Sequence, residues 1–172
     1  QEVKELKQQL TDKQAEQEKN VAATQKKVDE LNAQQAEAQS VVNSLDSQLQ
    51  AELAACHARA NTAEETDWRR IAALYGALGA LTPSPVIELN RAVAVSMAEG
   101  PAAGLALVDA LVSAPALKTY HLLPSVRADF LLKLGRHGEA EAEFIRAAGM
   151  TRNRRERDLL LGRAEAARKA AG

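Results

Sequence analysis

Neither a glycine nor a proline occurs before Gly76 and Pro83. In a helix interior the two cost about 1 and about 3 kcal/mol respectively, so their joint absence over such a length restricts the chain to helix more than any other feature does. Within this stretch apolar residues recur at alternating spacings of three and four, at Val21, Thr24, Val28, Leu31, then Ala38, Val42, Leu45 and Leu49. That is the seam of a left-handed coiled coil, with valine at a and leucine more often at d. The seam residues Val21, Val28, Leu31, Val42, Leu45 and Leu49 are expected to pair, with Gln35 as the main interruption. Upstream the register holds at Val3 and Leu10, but Lys7, Gln14 and Gln17 spoil it. A solvated single helix is the alternative, since several seam positions are glutamine. The pattern reads on through Leu49, Leu53 and Cys56 without a break of phase. It predicts one helix from near residue 2 to near Ala60, about 90 Å long at 1.5 Å per residue. "NSLDS" holds its weakest helix formers.

After Asn61 the punctuation changes. Thr62 followed by Glu65 has capping-box spacing and is read as starting a helix with Trp68, Ile71, Leu74, Tyr75 and Leu78. Ser84 is a cap with Pro85 in the first turn of the next helix. Gly100 closes that helix and Pro101 opens another. Turns are expected at Gly135 and Gly138, and Asn153 with Glu156 caps a final helix to about Arg168. No stretch reads as a strand. Ala92, Gly104, Val108 and Leu111 recur 36 residues on as Ala128, Ala140, Phe144 and Ala147. Small residues recur where paired helices approach closely, which suits helical hairpins in the manner of tetratricopeptide repeats. Counting back again puts Cys56 at the first small position but Trp68 at the second, so the first copy has a longer turn or different packing.

The fold class expected is all-α: a long coiled-coil-like helix (residues 1–48) running into a short tetratricopeptide-like solenoid of hairpins (residues 49–172). The chain of 172 residues has a net charge of −1 and is 46% apolar. Residues 1 to 50 carry six Lys against nine Asp and Glu, and the remainder is net basic. A near-neutral balance gives no reason to expect direct nucleic-acid binding. No apolar run approaches the roughly 18 to 20 residues of a membrane span, no secretion leader is expected, and lone Cys56 fits a reducing compartment. A cytoplasmic protein is the expectation.

"LQAELAACHARA", "DWRRIAALYGALGALTPSPVIELNRAVAV", "GPAAGLALVDAL" and "YHLLPSVRADFLLKLGRHGEAEAEFIRAAGMTRNRRERDLL" closely resemble the C-terminal extension of a group of bacterial extracytoplasmic-function sigma factors. The resemblance covers about residues 49–172. It implies a tetratricopeptide-like regulatory module in transcription initiation, with RNA polymerase or the sigma regions of the parent protein as partner. Neither the polymerase-binding region nor the promoter-reading helix-turn-helix of that family is present, and the heptad helix stands in its place. That helix resembles the coiled-coil segment of secreted peptidoglycan hydrolases. A secreted-type coil on a cytoplasmic-type domain implies a fusion joined in helical phase near Gln50. The rival function is a structural coiled coil that oligomerises, a homodimer through its N-terminal helix, with the solenoid as passenger.

Candidate sites follow from position. Polar residues on the inner helix of a repeat face the concave groove where extended partners bind. Glu88, Asn90 and Arg91 in "ELNRAVAV" are therefore candidate groove contacts, with a buried structural network as the equal alternative; Arg127 and Asp129 would extend the same wall. The run "TRNRRERDLLLGRAEAARK" offers a basic docking face at Arg152, Arg154, Arg155 and Arg157, or a solvated capping helix. Cys56 and His57 are adjacent on a helix, about 100° apart, and cannot chelate one metal. His121 and His137 lack a third ligand at suitable spacing. No nucleophile–base set emerges, so no catalytic residue, metal or cofactor is expected. Trp68, Tyr75 and Phe144 are read as core.

Overall fold

The computed structural model describes residues 2–60, 62 and 64–171. It divides into two compact units, Gln1–Leu45 and Asp46–Gly172. Helix α1 spans Glu2–Arg59, so the helix expected from the missing glycine and proline is present and "NSLDS" lies within it. Its polar surface is knitted at i,i+4 spacing: Gln8 donates to Asp12 (3.0 Å), Gln25 to Asp29 (2.9 Å) and Gln39 to Asn43 (3.0 Å). Such pairs each add about 0.2 to 0.5 kcal/mol to a helix. Every side chain from Glu2 to Val41 is exposed. The first unit therefore has no core of its own, and its long helix leaves an apolar stripe facing solvent.

The second unit is built from α2 (Trp68–Leu81), α3 (Pro85–Glu99), α4 (Pro101–Leu111), α5 (Leu122–Lys133), α6 (His137–Met150) and α7 (Arg154–Ala170), with a 3₁₀ turn at Pro115–Leu117. There is no strand among the described residues. Ser84 precedes α3 in an extended conformation and Pro85 takes the first helical position, where the missing N–H leaves nothing unpaired. Gly100, at φ +103°, closes α3 and opens α4, and Gly135, at φ +73°, turns the chain after α5; both angles favour glycine. Asn153 caps α7 by accepting from the amides of Arg155 and Glu156. Two turn expectations change. Thr62 does accept from the Glu65 amide (3.3 Å), but this closes an isolated turn. The helix begins later, at Trp68, because Asp67 accepts from the Arg70 amide and caps it there. Gly138 is no turn residue: it lies in the first turn of α6, and Gly135 alone makes the reversal.

From α2 onward each helix packs on its neighbour in the chain. Of the eight residues related by the 36-residue repeat, seven are buried, and Leu111 is half-buried. Among the described glycines the tightest surroundings are at Gly104. A Cβ there would lie 2.5 Å from Ser96 Cβ, 2.8 Å from the Ala92 carbonyl oxygen and 2.9 Å from the Phe130 ring, so α4 reaches α3 only because position 104 has no side chain. Its repeat counterpart, Ala140, is fully buried, as are Ala128 and Phe144. These belong to a cluster running from Leu89 to Ala167.

A second cluster joins Leu53, Ile71, Leu78 and Ala94, with Leu49, Cys56, Trp68 and Tyr75 packed on it. Here the expectation of an unbroken heptad phase fails. The d position after Leu49 is Glu52, which is exposed and holds Arg70 at 2.9 Å, whereas Leu53, one place further on, is buried. A straight helix advances 3.6 residues per turn, so a 3.5-residue stripe slides off the contact face and the next position takes over. Trp68 is only half-buried, with its ring edge-on to His57 at 6.0 Å, and so lies at the rim of this cluster, not its centre. Replacing Phe144 with alanine should lower stability by about 3 to 5 kcal/mol and Trp68→Ala by less, while Gly104→Ala should cost about 1 to 3 kcal/mol through overpacking. Denaturant unfolding of the three variants checks the order.

Candidate functional site

Glu88 and Arg91 lie one turn apart on α3 and bond to each other, Arg91 Nε donating to Glu88 Oε2 at 2.9 Å. Both are half-buried. A Cβ at Gly79 would sit 2.7 Å from Glu88 Oε1, and one at Gly76 3.8 Å from Arg91 Cδ. The pair is thus laid across the glycine face of α2. Asn90, between them, is exposed.

Arg127 and Asp129 do not form one wall. Two residues apart on a helix, they point about 200° apart. Arg127 Nε donates to Asp109 Oδ1 of α4 at 2.7 Å, and its Nη1 lies 3.2 Å from Glu143 of α6. Glu143 in turn holds Arg146 at 2.9 Å. Burial opposes the charge on Arg127, but the two carboxylates outweigh it and raise its pKa above the ordinary arginine value. Asp129 instead takes Arg163 of α7, whose guanidinium also lies over the Phe144 ring, 4.5 Å from its centroid. These residues tie successive helices together and have their charges met within the second unit.

The basic face has a different character. Arg152, Arg154, Arg155 and Arg157 are all exposed. Arg157 donates to the Thr151 carbonyl at 3.0 Å, which fixes the entry to α7. Arg152 lines a hollow of about 510 Å³ with Lys118, Thr119, His121, Met150 and Thr151. Sequence reasoning missed this hollow, because the 3₁₀ segment that brings Lys118 and Thr119 beside the α6–α7 junction leaves no periodic signal. The wall is held by Glu156: Thr151 Oγ1 donates to its Oε2, and His121 Nε2 lies 2.8 Å from its Oε1. Lysine, arginine and hydroxyl groups around one concavity suit carboxylate or phosphate groups better than apolar ligands. The described residues contain no group of three or more His, Cys, Asp and Glu able to hold a metal. Cys56 is a free, half-buried thiol in the second cluster and His57 is exposed beside it.

The hydrogen bond from Thr151 holds the Glu156 carboxyl below its ordinary value; burial opposes this, and His121 adds to the lowering. A carboxyl depressed by folding stabilises above its unfolded pKa, and that stability is lost as the pH falls through the folded value. Glu156→Gln should therefore be less stable than the parent at neutral pH, with the difference shrinking as the pH falls below the ordinary carboxylate value of 4.5. Chemical denaturation from about pH 7 to about pH 3 measures it.

No family model matches the chain, and no solved structure does. Uncharacterized protein R00370 of Rhizobium meliloti (strain 1021) is 49% identical over 106 residues, which is 62% of this chain and 25% of that protein. The chain thus spans about a quarter of the length of this relative, and it is similar to a piece of a larger protein.

Proposed function

We propose that the second unit is a protein-interaction module. By the resemblance of its wording to sigma-factor extensions, it acts as the regulatory C-terminal module of an alternative sigma factor, a short tetratricopeptide-like solenoid. Its partner is RNA polymerase or the sigma regions of the parent protein, in the cytoplasm, with no cofactor and no catalysis of its own. The observation that carries the reading is the basic face. The half-buried charges of Arg127, Asp129 and Glu143 are met within the second unit, by Asp109 of α4, Arg163 of α7 and the Arg127–Glu143 pair itself. Arg152, Arg154 and Arg155 instead lie exposed, Arg152 at the hollow and the other two in the first turn of α7. An acidic protein surface is the complement. Nucleic acid is not, since no aromatic side chain is interleaved with these arginines.

A second reading concerns the first unit. Val21 and Leu31 are each 63% exposed at heptad spacing, with Val28 and Leu45 also exposed. Such a stripe fits a coiled coil, so we read this unit as an oligomerisation element pairing with a second copy, fused to the interaction module.

The basic face is tested by affinity capture of purified RNA polymerase, and of the sigma regions, on the immobilised chain. Combining Arg152→Glu, Arg154→Glu and Arg155→Glu should weaken capture at least about tenfold, since each lost charged contact is worth roughly 1 kcal/mol or more. Capture unchanged by the triple variant would remove this face from the account, and an intact chain that captures neither partner would overturn the reading.

A further inference from the structure

The exposed stripe of the first unit also contains information on how two copies would align. Following the heptad, Val21, Val28 and Val42 take a positions and Leu31 and Leu45 take d positions. β-branched residues at a with leucine at d favour two strands in parallel. Gln35 is the polar a residue in the middle of the good layers. In a parallel pair without stagger, Gln35 faces Gln35 of the other copy, and each amide both donates and accepts across the layer. A stagger of one heptad sets Gln35 against Val28 and Val42 instead. The antiparallel arrangement that keeps Val21 opposite Leu45 sets it against Leu31. Each of these leaves a polar group facing an apolar one, which is unfavourable because its hydrogen bonds to water are lost without replacement.

Charge agrees with this alignment. Lys13 falls at g and Glu18 at e. In a parallel, unstaggered pair the g residue of one copy lies beside the e residue five places on in the other, so the Lys13–Glu18 contact forms twice. The centred antiparallel pair brings neither to the other. Neither side chain is buried within its own copy, so both are open to a second chain.

We infer that the first unit is a parallel, in-register, two-stranded coiled coil whose alignment is set by the Gln35 layer among the good layers, with the Lys13–Glu18 pairs adding to it in the weaker stretch upstream. This rests on the pairing reading of the stripe and adds to it the number of strands, their direction and their register. Two interaction modules would then be carried per particle. A partner presenting two acidic sites would be held by avidity, without any new contact on either module.

Cysteine cross-linking on the full chain decides it. In a Cys56→Ser background, Thr24→Cys and Val42→Cys are prepared separately, oxidised alone and as an equimolar mixture, and run without reductant. In the proposed alignment each variant cross-links to itself, giving a band at twice the 18.5 kDa chain. The mixture gives no disulfide between positions 24 and 42, because these lie about 27 Å apart along a helix and a disulfide needs Cα atoms within about 7 Å. Adding Val28→Lys and Leu31→Lys should abolish cross-linking while leaving the unfolding of the second unit unchanged. Cross-links only between the two variants in the mixture would overturn the parallel direction but not pairing. A dimeric mass by sedimentation with no cross-link at either position would overturn the register. A monomeric mass at high concentration would overturn the pairing itself.

Discussion

The close contact at Gly104 is the constraint on which the second unit depends. Backbone meets backbone there: the Ala92 carbonyl, the Ser96 side chain and the Phe130 ring occupy the space a Cβ would need. The contact sets the spacing between α3 and α4 and brings Phe130 of α5 onto the same spot. One repeat later the same geometry is met with Ala128 and Ala140, both without solvent exposure, and Phe144 fills the gap beyond. Once the small residues fix how near the helices come, the larger ones between them have little freedom in size.

The ion pairs follow from that spacing and do not create it. Arg127 reaches Asp109 and Glu143 because α4, α5 and α6 already lie within a side chain's length. The effect of these pairs is to meet the charges on one part of the unit, while Arg152, Arg154 and Arg155 stay exposed. The first unit shows the opposite economy of apolar surface. Its leucines and valines from Val3 to Val41 are exposed, and the regularity of their spacing is what the proposed pairing with a second copy rests on.

Much of the helical architecture was legible in the residues. The missing glycine and proline set α1, the Ser84–Pro85 and Gly100–Pro101 pairs set both ends of α3, and Asn153 set the start of α7. The 36-residue recurrence located the small positions that turn out to be buried. What was not legible depended on chemistry several residues away. Thr62 and Glu65 made the capping-box bond, yet Asp67 placed the helix start later. Leu53 replaced Glu52 on the contact face because heptad and helix periods differ. For the candidate site, spacing identified Arg127 and Asp129 as inner-helix residues but not that they face opposite neighbours. The hollow at Lys118, His121 and Arg152 joins segments that share no periodic pattern, so only the three-dimensional arrangement brings it out.

Apolar surface is buried within one copy in the second unit, and the pairing proposed for the first unit would bury its stripe between copies. Backbone hydrogen exchange on the full chain, followed at two concentrations about a hundredfold apart, separates these directly. The account predicts that amides from Val21 to Leu45 lose protection on dilution, since a helix without tertiary packing is marginal in water, while those of α3 to α6 exchange at the same slow rate at both concentrations. Protection of residues 21 to 45 that does not change with dilution, or protection of α3 to α6 that does, would contradict it.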